Sequence, residues 1–304
     1  MAQAQKRTIL ITGCSEGGAG HALALEFAAR GFRVFATARS TKSLTTLESK
    51  GIETLALDVT DESSIASLKA EISTRTSGKL DILFNNAGTM IDSPAIEASP
   101  AEVQAMFHTN VFGLFNVIQS FTPLLLAAVH SSSNPSPPTI INTASVVARV
   151  PMPLTAHYNA SKAAVASYSD TLRLELAPLG IKVVTLFMGV VSTNIVKSEN
   201  ISFPESSLYK PLEQGLRNRS VNHLRDGMTT RVFAKQVVDS VLKSPGMGKA
   251  EYLWKGGQAG LVWALDKLGW RKVFDGNVLG GVGLTAGVGR AIFERGRVSV
   301  VGGK

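Results

Sequence analysis

The sequence predicts an α/β fold in which helices cover both faces of a doubly wound, central parallel sheet, and three observations predict it. Short apolar runs rich in β-branched residues recur through the first 190 residues, stretches of helical period separate them, and glycines cluster where the first run meets a helix. Near-continuous apolar runs suit strands buried on both faces. Strand–helix–strand alternation builds βαβ units. The expected strands are 8–12 (TILIT), 33–37 (RVFAT), 52–57 (IETLAL), 80–84 (LDILF), 139–143 (TIINT) and 181–187 (IKVVTLF). Helical patterns fill about 20–30, 61–76, 100–128 and 156–177. Right-handed crossovers then bring the loops at the strands' C-terminal ends to one edge, where such sheets bind ligands.

Composition bounds the function. In 304 residues, 44% are hydrophobic and 18% charged, enough for a sizeable core. The single cysteine, Cys14, excludes an internal disulfide and agrees with a reducing, cytoplasmic compartment. Met1–Arg7 is polar, with no secretory apolar region. No stretch reaches the roughly 18 uninterrupted apolar residues expected of a membrane span. Lys and Arg total 31 against 23 acidic residues, a net charge of +8. The excess is not in runs, which argues against a nucleic-acid arm and leaves a basic surface, an anionic ligand or an anionic membrane. Five histidines (His21, His108, His130, His157, His223) form no metal-binding pattern, so no metal is expected.

The first strand runs into Thr12-Gly13-Cys14-Ser15-Glu16-Gly17-Gly18-Ala19-Gly20. Glycines between a strand and a helix let the backbone approach a pyrophosphate, and the helix N-terminus supplies free N–H groups. A site preferring NAD usually places a carboxylate roughly 20 residues further on. Between Arg33 and Ser40 there is none, and Arg39 stands just past the second strand, where a guanidinium can hold an extra phosphate. NADPH is therefore the expected cofactor.

Tyr158-Asn159-Ala160-Ser161-Lys162 opens a helical stretch, and its i, i+4 spacing puts Tyr158 and Lys162 on one face. A phenol with pKa near 10 needs its anion stabilised before it can exchange protons at neutral pH, and a nearby ammonium does that. Ser145 lies just past the strand TIINTA, 13 residues before Tyr158.

Together these residues resemble the short-chain dehydrogenase/reductase family, over about residues 7–245. The glycine turn is similar to the family's T-G-x-x-x-G-x-G, with one extra residue: Ala19 stands where the last glycine would fall, and Gly13, Gly18 and Gly20 take the three roles around Ser15. Asn85-Asn86-Ala87-Gly88 matches the family's N-N-A-G, with Asn86 and Gly88 on the cofactor side of the cleft. The resemblance implies a Rossmann fold and a catalytic tetrad. Tyr158 would be general acid toward a ketone oxygen that Ser145 also hydrogen-bonds. Lys162 would lower the tyrosine pKa and bind the nicotinamide ribose, and Asn110 would hold a water in the proton relay. It further implies that Asp58 meets the adenine ring, and that Val191 and Thr193 line the nicotinamide. That last loop departs from the family: Met188-Gly189 replaces Pro-Gly.

Residues 1–245 thus read as the catalytic domain. Within it, 192–228 is polar, lacks sustained periodicity and reads as a substrate lid. The segment 131–138 (SSSNPSPP) reads as a surface loop and 229–243 as a helix. Val147, Val150, Met152 and Pro153, with Met90, Ile91, Met188 and Val190, offer an apolar lining for a small lipophilic carbonyl substrate. Residues 246–304 read as a C-terminal extension. Its stretch 251–284 holds Trp254, Trp263 and Trp270 beside Lys255, Lys267, Arg271 and Lys272, a pattern for peripheral membrane contact or for packing on its own or a neighbouring subunit. With the glycine turn, this tail resembles a fungal branch of the family, the acyl-dihydroxyacetone-phosphate reductase-like members, which implies a peripheral place on endoplasmic reticulum or lipid droplets. A homo-oligomer is expected. Besides a lipid-ketone reductase, a soluble ketoreductase of secondary metabolism and a non-catalytic NADP(H)-sensing protein remain open.

Overall fold

The structure, a computed structural model, describes residues 6–129, 136–195, 198–269 and 271–301. His130, Trp270 and residues 131–135 of the Ser/Pro-rich segment lie outside the described residues. The chain begins with β1 (Thr8–Ile11), α1 (Ala19–Ala29), β2 (Arg33–Ala38), a short α2 (Thr45–Glu48), β3 (Glu53–Ala56), α3 (Glu62–Thr76) and β4 (Ile82–Asn85). It continues through α4 (Pro100–Phe107), α5 (Gly113–Val129), β5 (Thr139–Ser145), α6 (Ala156–Leu176) and β6 (Lys182–Met188). The last part holds β7 (Val191–Ser192), α7 (Glu213–Asp226), β8 (Met228–Thr229), α8 (Thr230–Lys243) and β9 (Tyr252–Lys255), then α9 (Ala259–Leu268), α10 (Asp275–Gly281) and α11 (Ala286–Val301).

Seven parallel strands form the central sheet in the order β3-β2-β1-β4-β5-β6-β9. The winding direction reverses between β1 and β4, which opens a crevice at the strands' C-terminal ends. Apolar residues of α1 and α8, such as Phe27 and Phe233, pack on one face. On the other, α3, α5 and α6 bury Ile72, Phe121 and Val165. This is the doubly wound Rossmann architecture. The run Pro100–Val129 is long and apolar enough to cross a membrane, yet half of its most apolar stretch is buried, with Val117, Phe121 and Leu125 in the core.

Two elements depart from the sequence expectation. The seventh strand, β9, falls inside the segment set off as an extension and pairs with β6 from Thr185–Tyr252 to Met188–Lys255. Phe187 and Trp254, partners in that register, stack with ring centroids 4.2 Å apart and planes 8° apart. One tryptophan of the tail is thereby built into the sheet. Helix α7 occupies the stretch that lacks apolar periodicity, because its inward face carries Arg219, Ser220 and His223 beside Leu216. A helix facing a polar chamber has no apolar stripe to read.

Candidate active site

The crevice is one continuous cavity of about 1080 Å³. Its cofactor end begins at the glycine turn. Gly13 has φ +73°, and a Cβ there would lie 2.7 Å from the Ala87 Cα. At Gly20 a Cβ would collide with the Gly13 carbonyl oxygen. The turn is tied to its neighbours: the Cys14 N–H donates to the Thr37 carbonyl (2.8 Å), the Asn86 side-chain amide to the Thr12 and Gly13 carbonyls (3.0 and 2.9 Å), and Thr12 Oγ1 accepts from the Asn86 and Ala87 N–H groups. Gly18 is the residue before α1 and has an extended backbone, and no side chain caps that helix end. Its first N–H groups and partial positive charge are thus left for an anionic ligand.

Arg39, exposed, follows β2 at the rim, and Asp58 lies beyond β3 with its carboxylate accepting from the Thr60 N–H and hydroxyl (2.9 and 2.7 Å). A glycine cradle, an uncapped helix N-terminus and a rim arginine fit a phosphate-bearing dinucleotide. Cys14 does not join the chemistry. Its thiol is fully buried, donates to the Ile11 carbonyl, and burial pushes its pKa up to about 12.

At the other end β5 delivers Ser145, and the first two turns of α6 deliver Tyr158 and Lys162. Ser145 Oγ donates to the Met188 carbonyl at 3.2 Å. Lys162 Nζ donates to the Thr143 carbonyl at 2.9 Å and sits 5.8 Å from the Tyr158 ring centroid. Asn110, in a π-helical turn between α4 and α5, is buried. Its side chain donates to the Thr89 carbonyl (2.9 Å) and Ser161 Oγ (3.1 Å) and accepts from the Thr89 N–H (2.8 Å). A Cβ on Gly88 would lie 3.3 Å from Asn110 Oδ1 and 3.5 Å from Lys162 Nζ, so these three residues converge.

Burial pushes the Tyr158 pKa up to about 12; the hydrogen bond with Ser145 opposes that rise and the Asp92 carboxylate adds to it. The phenol is therefore protonated at neutral pH. Burial pulls Lys162 down to about 8.

All of the site residues expected from the sequence line this cavity except Gly20 and Asn110, which stand behind it. Gly13, Ser15, Gly18, Arg39, Asp58, Asn86, Gly88, Val191 and Thr193 mark one end, and Ser145, Tyr158 and Lys162 the other. Among the expected apolar residues, Met90, Val147, Val150, Met152, Met188 and Val190 line it, whereas Pro153 and Ile91 do not. His157 turns away from Tyr158 and meets the Ala95 carbonyl at 3.3 Å. Sequence reasoning missed the wall supplied by α9 and α10. It also missed a largely buried ion pair, Arg219 to Asp92 at 2.5 Å, which ties α7 to the loop after β4.

A short chain dehydrogenase family model matches residues 7–202, and the chain belongs to that family. It is an oxidoreductase of the class that interconverts carbonyls and alcohols. The chain is 39% identical over 267 residues to the short-chain dehydrogenase virD of Hypocrea virens, covering 88% of this chain and 89% of that one. It is 38% identical over 266 residues to the NADPH-dependent 1-acyldihydroxyacetone phosphate reductase of Schizosaccharomyces pombe, covering 85% and 86%. Among solved structures, a short chain dehydrogenase from Burkholderia cenocepacia in complex with NADP shares the fold at TM-score 0.68 and 24% identity, covering 91% of this chain and 99% of that one.

Proposed function

We propose that this protein reduces the carbonyl of a lipophilic substrate with NADPH, with Tyr158 as the general acid. The observation that carries the reading is the single cavity joining the glycine cradle and Arg39 to Ser145, Tyr158 and Lys162. NADPH is supported by Arg39 and by the absence of a carboxylate between Arg33 and Ser40. The relative from Schizosaccharomyces pombe, an NADPH-dependent reductase, agrees. Bound there, the nicotinamide would supply hydride to the carbonyl carbon.

The chain's residues do the rest. Ser145 hydrogen-bonds the carbonyl oxygen as negative charge develops on it. Tyr158, held protonated by burial, gives its proton to that oxygen. Lys162 places positive charge beside the phenolate this leaves. Asn110, fixed by Thr89 and Ser161, holds a water in the proton relay. Gly13, Ser15, Gly18, Gly20, Asn86 and Gly88 shape the cradle, Asp58 meets the adenine end, and Val191 and Thr193 meet the nicotinamide. The segment 192–228 closes the substrate end through α7. NADPH oxidation by the purified protein across a panel of lipophilic ketones, with product stereochemistry, tests the reading. Turnover of no ketone by a protein that binds NADPH would overturn it.

A second reading concerns place. Leu261, Trp263 and Leu268 are exposed on α9, with Lys255 and Lys267 near them in the chain, which supports peripheral contact with an anionic membrane. Flotation with anionic liposomes should lose most of the protein when all three residues are changed to Ser; unchanged partition rules the contact out.

A further inference from the structure

Past Ser145 and Tyr158 the cavity continues into a chamber with two unlike sides. On one side Val262 of α9, Phe274 just ahead of α10 and Val278 of α10 form a buried cluster with Val150 from the loop after β5. All four line the cavity. The segment after the last strand is thus a wall of the site, laid directly on the loop that follows Ser145.

On the other side α7 presents Arg219 and His223. Arg219 is not a free cation, because it is paired with Asp92 at 2.5 Å and both side chains are largely buried. His223 Nε2 lies 3.0 Å from the Val191 carbonyl, and burial moves its pKa down, away from protonation. At the mouth Asp226 is paired with Arg225 at 2.7 Å. Arg39 belongs to the cofactor end, and Lys162, held on the Thr143 carbonyl, stands beside Tyr158 ahead of the chamber, where its charge serves the phenolate. Among the described lining residues, the chamber therefore offers an anion no uncompensated positive charge. Desolvating a phosphate or carboxylate without a counter-charge is costly, whereas a neutral hydroxyl or carbonyl needs only a hydrogen bond.

We infer that the α9–α10 segment is the specificity-determining wall, with Val262, Phe274 and Val278 receiving the apolar body of a neutral amphipathic ketone whose second oxygen function hydrogen-bonds on the α7 side. Phosphate esters are then poor substrates. The inference rests on the carbonyl-reductase reading and narrows it to a substrate class.

The test uses the full chain with NADPH and three ketones: 1-hydroxy-2-dodecanone, its phosphate monoester and hydroxyacetone. The neutral long-chain ketone should exceed both others in kcat/KM by about tenfold or more, the scale on which pocket contacts discriminate. Val278→Phe, which narrows the chamber, should lower the ratio of dodecanone to hydroxyacetone turnover by about tenfold. Val262→Thr, which keeps the shape and adds a hydroxyl, is the second variant should the first fold poorly. Leu174→Ser, on the exposed face of α6, should leave the ratio unchanged. A phosphate ester used as well as or better than the neutral ketone overturns the inference, as does a ratio that neither wall variant moves. Calorimetry of 1,2-dodecanediol on the NADP-saturated protein separates the two readings. If no ketone is reduced but the diol binds wild type about tenfold tighter than Val278→Phe, the reductase reading fails and the wall stands. If the diol binds both alike, the wall falls whatever the turnover.

Discussion

Tyr158 and Lys162 share one helix face and line one cavity, and burial acts on them in opposite directions. It raises the phenol to about 12 and lowers the ammonium to about 8. In the proposed mechanism, reduction needs the phenol protonated and the lysine charged. Below pH 8 both conditions hold; as pH rises through 8 the lysine loses its charge while the phenol keeps its proton. The kcat/KM for ketone reduction should therefore fall on the basic side with a midpoint near the Lys162 value of about 8. A profile flat to pH 10 would contradict this assignment. Tyr158→Phe should lower kcat by about 10²–10⁴-fold, the usual worth of a positioned general acid, while NADPH binding followed by fluorescence stays within about twofold. Arg39→Ala should reduce the preference for NADPH over NADH by about tenfold or more, as removal of a charge-assisted hydrogen bond does. At this scale the sequence was informative because the chemistry depends on residue type and spacing: Ser145, Tyr158 and Lys162 are 13 and 4 residues apart and meet in one cavity. Asp92 and Arg219 were not legible. They are 127 residues apart, and only the folded chain pairs them.

Among the elements, those with an apolar buried face could be read, and β9 and α7 could not. Strands β1, β2, β4, β5 and β6 announce themselves because both faces are covered, and β3, at the far edge, is framed by the buried Ile52 and Leu57. Strand β9 is an edge: Leu253 is buried, Tyr252 is exposed, and four residues give little alternation to read. Helix α7 hides for the opposite reason, since its inward residues include Arg219, Ser220 and His223. The glycine turn was legible in kind, and its longer register agrees with the backbone, where Gly13 takes positive φ, Gly18 precedes α1 and Gly20 abuts Gly13. Gly13→Ala tests how tightly that turn is closed. A methyl group there meets main-chain atoms of Ala87 and enforces a left-handed backbone on a residue with a Cβ. The variant should lose about 1–3 kcal/mol of stability in denaturant titration and bind NADPH more weakly.

The molecule as a whole is a stable sheet carrying a less deeply anchored cap, and the two should come apart separately. The cap rests on a small cluster of Leu154, Ile201, Phe203, Leu212 and Leu216, against which Leu284, Val288 and Ile292 pack from the C-terminal segment. Arg295 of α11 adds hydrogen bonds to the Ser207 and Glu205 carbonyls. None of these residues belongs to the two clusters that cover the sheet. A chain ending at Thr285 loses Val288, Ile292 and Arg295, so residues 198–226, and with them the Arg219 side of the chamber, lose their clasp while the sheet keeps its packing. Amide hydrogen exchange across 198–226 should then speed up by about tenfold or more, since local opening is governed by local burial and not by global stability. Cys14 supplies the internal control. It is the only thiol, fully buried at the end of β1, with a pKa pushed up to about 12, so a thiol reagent at neutral pH reaches it when the sheet opens. Its labelling rate should be the same in the full and shortened chains. Faster Cys14 labelling in step with the exchange would mean that cap and sheet unfold as one unit.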